Sequence, residues 1–96
     1  FIPYHDPTTN RVRRYFPDFF IKYKDKDGNI RRSVIEVKPM RETLEPKATK
    51  GKSRKTLINE SVTYVKNQAK WKAAREFCAD RKLEFKIMTE KELGIR

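Results

Sequence analysis

Ninety-six residues suffice for one domain with a single modest core and are too few for two. The 24 Lys and Arg outweigh the 13 Asp and Glu, which gives a net charge of +11 and a pI of about 10.0. So basic a chain needs an anionic partner, for which a nucleic-acid backbone is the usual reason; plain binding domains share this composition, so it leaves the chemistry open. The single cysteine, Cys78, excludes an internal disulfide and fits a reducing compartment. No apolar run approaches the roughly 20 residues that cross a bilayer, and no secretory signal pattern is legible.

The chain opens on a strand-like stretch, Phe1–Tyr4, without a methionine, and reads as a fragment lacking its upstream part. Residues 6–13 are turn-rich and then basic. Residues 14–23 (RYFPDFFIKY) read as an aromatic strand interrupted near its beginning by Pro17, which removes a ladder donor. Asp27-Gly28 marks a hairpin, and residues 30–38 (IRRSVIEVK) form its β-branched return strand, stopped by Pro39. Residues 40–57 read as a mobile basic loop. From Leu57 to about Arg81 the pattern is helical, with Ile58, Val62, Val65, Ala69, Ala73 and Phe77 on one stripe and Asn59 or Ser61 as the cap. Trp71, with Tyr64 and Cys78 seven residues to either side, marks a second apolar face, where core packing outweighs a DNA-stacking role. Leu83–Met88 alternates like a half-buried strand, and Thr89–Leu93 reads as a short capped helix ended by Gly94. The order predicts a small α/β domain whose mixed β-sheet contains a central hairpin, with one long helix.

The hairpin sets a parity. A three-residue loop, Lys26-Asp27-Gly28, would pair Asp25 with Asn29 and place Asp18 opposite Glu36, with Lys38 on the same face. An even loop would put Asp18 on the other face unless a bulge at Pro17 restored it. Two carboxylates on adjacent strands suit Mg²⁺ or Mn²⁺, with the Val37 backbone carbonyl as a further ligand. A neighbouring lysine can orient the attacking water and neutralise charge on a phosphate during in-line phosphodiester hydrolysis. The alternative is that Asp18 caps a bulge while Glu36 and Lys38 form an exposed edge pair. Phe20, Val34, Ile35 and Val37, which make both faces of the strand pair apolar, argue against such an edge.

Pro17-Asp18 followed by Glu36-Val37-Lys38 resembles the motif of the PD-(D/E)xK, restriction-endonuclease-like nucleases. Beyond the motif, RRYFPDFF, IEVKPMRET and the segment from Asn59 to Leu93 are similar to the head completion nucleases of T4-like tailed phages, and more distantly to the TnsA endonuclease domain. The resemblance implies a restriction-endonuclease-like core across residues 1–96 and catalysis by Asp18, Glu36 and Lys38. It further implies an upstream acidic residue on a helix that precedes this chain. It places the protein in the host cytoplasm during phage assembly or in the virion, with DNA and head, portal or neck proteins as partners. Gln68 and Lys72, one helical turn apart, are second-tier site residues, with a solvated helix face as their ordinary reading. Arg13, Arg14, Lys50, Lys52, Arg54 and Lys55 are expected to contact DNA phosphates. The rival readings are a non-catalytic DNA-binding head or neck protein and a TnsA-like or repair endonuclease of the same fold.

Overall fold

A computed structural model describes residues 1–94. Its strands are β1 (Ile2–Asp6), β2 (Arg11–Tyr15), β3 (Phe19–Lys24), β4 (Ile30–Val37) and β5 (Glu84–Met88). A 3-10 turn (Met40–Thr43) and one long helix, α1 (Arg54–Asp80), lie between β4 and β5. β1 and β2 form an antiparallel pair of their own. β3 runs antiparallel to β4 and β5 parallel to it, so the three-stranded sheet is mixed, with β4 in the centre. This is the expected α/β architecture, consistent with a restriction-endonuclease-like core.

The stretch expected as one interrupted strand is two strands in two sheets. Pro17 has no N–H to donate and so offers no ladder bond at the break; the backbone leaves the first sheet after Tyr15 and enters the second at Phe19. β4 is buried from Ser33 to Glu36, on both of its faces, as befits a central strand. β3 is an edge strand, and Phe19, Phe20 and Ile21 are exposed on it, which corrects the expectation that Phe20 helps to enclose the strand pair.

The helix begins at Arg54, three residues earlier than expected. Its cap is Ser53, whose Oγ accepts the Thr56 N–H at 3.1 Å, rather than Asn59 or Ser61. Its core stripe is also rotated from the predicted one. Asn67, Trp71, Ala74 and Cys78 are buried, whereas Ile58, Val62 and Val65 are exposed. The hairpin of β1 and β2 decides this, because Ile2, Tyr4 and Tyr15 pack on the face that offers Trp71 and the small Ala74. Ala69, Ala73 and Phe77 flank that contact half-buried, as do Phe85 and Ile87 of β5. Trp71 is thus core, as its composition suggested.

Beyond the helix, Leu83 N–H donates to Cys78 O at 2.8 Å and Lys82 N–H to Ala79 O, with Lys82 left-handed at φ 57°. This is a Schellman ending built on a lysine. The short helix expected after β5 is a single turn: Thr89 caps it, with its N–H and hydroxyl donated to the Glu92 carboxylate and its carbonyl accepting the Leu93 N–H, and Gly94 at φ +72° ends it before a ladder develops.

Candidate active site

The β3–β4 turn fixes the register of everything above it. Gly28 takes φ +84°, a conformation open to glycine, and Asp25 N–H donates to Asn29 O at 2.9 Å. Asp25 Oδ1 accepts the N–H groups of Asp27 and Asn29, and Oδ2 holds Arg31 Nε at 2.8 Å. These bonds hold the Asp25 carboxyl below its ordinary range, with the Arg31 contact the chief cause. The loop is the three-residue Lys26-Asp27-Gly28, and the pairing runs from Lys24↔Ile30 to Phe19↔Ile35. The next step of that register brings Asp18 to Glu36.

Asp18 sits at the bend just before β3, and its Oδ2 accepts the Val37 N–H at 2.8 Å. Its side chain therefore satisfies the Val37 N–H at the point where the β3–β4 ladder has ended. Glu36 lies on the face of β4 turned toward α1 and is 7 % exposed, so it is not half of an exposed edge pair. Lys38 extends the β4–β5 ladder through its N–H to Met88 O, and its Nζ stands 3.8 Å from Glu36 Oε1 with the side chain 28 % exposed. The three predicted residues thus share one end of the central strand, with the half-buried Val37 between two of them.

Glu36 reaches inward as well. Its Oε2 is buried without a hydrogen-bond partner, as are Tyr15 Oη and Trp71 Nε1. Burial pushes the Glu36 carboxyl above its ordinary range and the Asp18 charge adds to this, while the Tyr15 hydroxyl and Lys38 pull it back. Burial likewise raises the Tyr15 phenol, with the Glu36 carboxylate next in effect. Sequence reasoning missed Tyr15. Its signal was an aromatic with a polar tip one residue before the Phe16–Asp18 break.

The other predicted residues lie at varied places. Gln68 is half-buried, three residues before Trp71 on α1. Lys72 is exposed and lines a shallow depression with His5, Pro7 and Glu76, beside the β1–β2 hairpin. Arg13 is committed to that hairpin, its Nε 3.1 Å from the buried Asp6 Oδ2, and Arg14 stacks over Phe1. Lys52 is turned inward to Glu60 at 3.0 Å and to the Lys47 carbonyl. Lys50, Arg54 and Lys55 remain exposed around the start of α1, whose first turn holds no acidic residue.

A groove of about 920 Å³ runs between residues 41–52 and the first half of α1, and none of Asp18, Glu36 and Lys38 lines it. Among the described residues, no group of three His, Cys, Asp or Glu side chains is placed to hold a metal, and no helix is long and apolar enough to cross a membrane. A family model described as the TnsA-like endonuclease N-terminal domain matches residues 1–90. The chain belongs to the TnsA-like endonuclease N-terminal family. The match includes the β3–β4 hairpin with its Asp18, Glu36 and Lys38 and nearly all of the rest of this TnsA-like chain. The chain is also similar to the head completion nuclease of Enterobacteria phage T4, 35 % identical over 92 residues that cover 93 % of this chain and 59 % of that protein. It therefore spans about three-fifths of that relative's length. No solved structure gives a significant match.

Proposed function

We propose that the chain carries catalytic residues of a metal-dependent endodeoxyribonuclease. One observation carries this reading. The Glu36 carboxylate is buried with one oxygen unpartnered, beside the Asp18 carboxylate and the Lys38 ammonium. A buried anion so poorly compensated is costly, and a bound cation would offset that cost.

The donor set fits a hard divalent ion. Asp18, Glu36 and the Val37 carbonyl would hold Mg²⁺ or Mn²⁺, which prefer carboxylate, carbonyl and water oxygens. Once bound, the ion supplies Lewis acidity toward a phosphate oxygen and acidifies a coordinated water. The Val37 N–H fixes Asp18 Oδ2, so that Oδ1 is the oxygen free to turn to the site. Lys38, anchored by its backbone to β5, brings its ammonium beside Glu36 Oε1, where it orients the attacking water and neutralises charge developing on the scissile phosphate. Of the six cations predicted to meet DNA, Arg14, Lys50, Arg54 and Lys55 are exposed and in no ion pair among the described residues, and so are available to it. Each phosphate they neutralise adds about 0.9 to the log–log salt dependence of binding. The start of α1, with two cations in a turn whose dipole already favours anions, suits a phosphate.

The similarity to a head completion nuclease supports a role in phage assembly, on packaged DNA or on heads before tail attachment, with head, portal or neck proteins as partners. The test is incubation with linear and branched DNA, with Mg²⁺ or Mn²⁺ and with chelator, beside Asp18→Ala and Lys38→Ala. Cutting is expected to vanish in both variants and under chelation while DNA binding persists. Undiminished cutting by the variants would sink the proposed site. A non-catalytic DNA-binding role is the second reading, favoured by the net charge of +11, which serves phosphate binding without chemistry. It predicts binding without cutting under every condition.

A further inference from the structure

Three buried polar atoms meet on the inner side of the candidate site. Tyr15 Oη, Glu36 Oε2 and Trp71 Nε1 each lack a properly formed hydrogen bond, although buried polar groups are nearly always paired. The fold brings them together. Tyr15 is the last residue of β2, Glu36 is near the end of β4 on the face toward α1, and Trp71 is the buried centre of α1. Tyr15 and Trp71 belong to the same core cluster, and the rings are 4 % and 1 % exposed.

Donor chemistry dictates how such a trio can be satisfied. An indole N–H only donates, an ionised carboxylate only accepts, and a phenol hydroxyl does both. Only the phenol can stand in the middle. Glu36 Oε1, the other oxygen, is the one on the Lys38 side.

We propose that Tyr15 is a positioning residue for Glu36, with Trp71 N–H donating to Tyr15 Oη and Tyr15 O–H donating to Glu36 Oε2, so that Oε1 is presented to the cation. This rests on the metal-site reading given above and extends it inward to two residues that do not touch the cation. None of the three atoms has a hydrogen-bond partner in the structure, and the relay closes when the cation draws Glu36 into a fixed orientation.

Trp71 is the single tryptophan, so its fluorescence reports on the relay directly. The experiment titrates the protein with Mn²⁺ alone, without DNA, and follows both Trp71 emission and the free-Mn²⁺ paramagnetic resonance signal. The wild type should respond saturably. Tyr15→Phe removes one hydroxyl and keeps the ring; its midpoint should rise about 10- to 100-fold, the usual effect of losing a partner behind a metal ligand. In cleavage assays kcat should fall while KM for DNA stays near the wild-type value. If Tyr15→Phe melts below the assay temperature, Trp71→Phe, read by the resonance signal, should shift the midpoint in the same direction. Equal midpoints for wild type and Tyr15→Phe, with Asp18→Ala still shifted, would overturn the relay and leave the metal site standing. No saturable Mn²⁺ response in the wild type would overturn both.

Discussion

The Asp18 carboxylate accepts the Val37 N–H at 2.8 Å, so one residue both seals the broken ladder and borders the candidate site. The two roles separate by substitution. Asp18→Asn keeps an acceptor for Val37 and should leave stability within about 0.5 kcal/mol of wild type, whereas Asp18→Ala strands that N–H and should cost about 1 kcal/mol. Both should lower cleavage by about 100-fold or more. Urea denaturation and single-turnover cleavage of the pair check this. Equal stability of Asn and Ala variants would show that the Val37 contact contributes nothing.

Glu36 should weaken the metal-free fold at neutral pH. Its folded-state pKa is raised, chiefly by burial, so the folded chain holds this proton more tightly than the unfolded chain. Its contribution to stability is thus fully present below the unfolded value of about 4.5 and is lost as pH rises through the folded value. Glu36→Gln should therefore raise the melting temperature of the chelated protein at pH 7, and the advantage should disappear below pH about 4.5. A Gln variant less stable than wild type at pH 7 would contradict this.

Asp6 behaves in the opposite sense. Its carboxyl, fully enclosed, accepts the Thr8 hydroxyl and N–H and faces Arg13 and Lys66, and it is held down to about 2, with the Thr8 hydroxyl the largest cause. A lowered folded value gives stability that is present above the unfolded value of 3.8 and lost as pH falls toward 2. Wild type should lose stability across that window, and Asp6→Asn should be less stable at pH 7 with a flatter acid limb. Circular dichroism melts at pH 7, 4 and 2 decide it.

Lys82 occupies a left-handed position that glycine adopts freely. Lys82→Gly should stabilise the chain by about 1 kcal/mol, because the Schellman bonds remain while the Cβ strain is removed. Ser53→Ala, at the other end of the same helix, should cost about 1 kcal/mol. Denaturant midpoints of the two variants should move in opposite directions.

What the sequence disclosed follows the range of the physics involved. Asp27-Gly28 and strict alternation are local, so the hairpin is legible in the sequence, but the parity of its loop is not: the three-residue loop is the choice that lets Asp18 meet Glu36, and the register and the Asp25 bonds that hold it are seen only in the folded chain. The helix was legible as a helix, yet Ile58, Val62 and Val65 and the Tyr64–Trp71–Cys78 face were both plausible stripes. Only the β1–β2 hairpin, contributed from far along the chain, selects the Trp71 face. Tyr15 stayed hidden for a related reason. The residues around Pro17 read as one strand, and nothing local shows that Tyr15 ends one sheet while Asp18 opens onto another.

The turn between β3 and β4 acts as a ruler with an odd number of divisions. Adding or deleting one residue among Lys26, Asp27 and Gly28 would exchange the strand's two faces and carry Asp18 away from Glu36, unless a bulge elsewhere restored the count. A change of two residues would keep the faces in phase. Substitutions of Lys26 and Asp27 on this exposed tip are thus cheap, whereas Gly28 is held by its φ of +84° and the length is constrained in steps of two: descendants of this chain can vary those two residues, but they can change the length only by crossing a state in which the two carboxylates no longer meet.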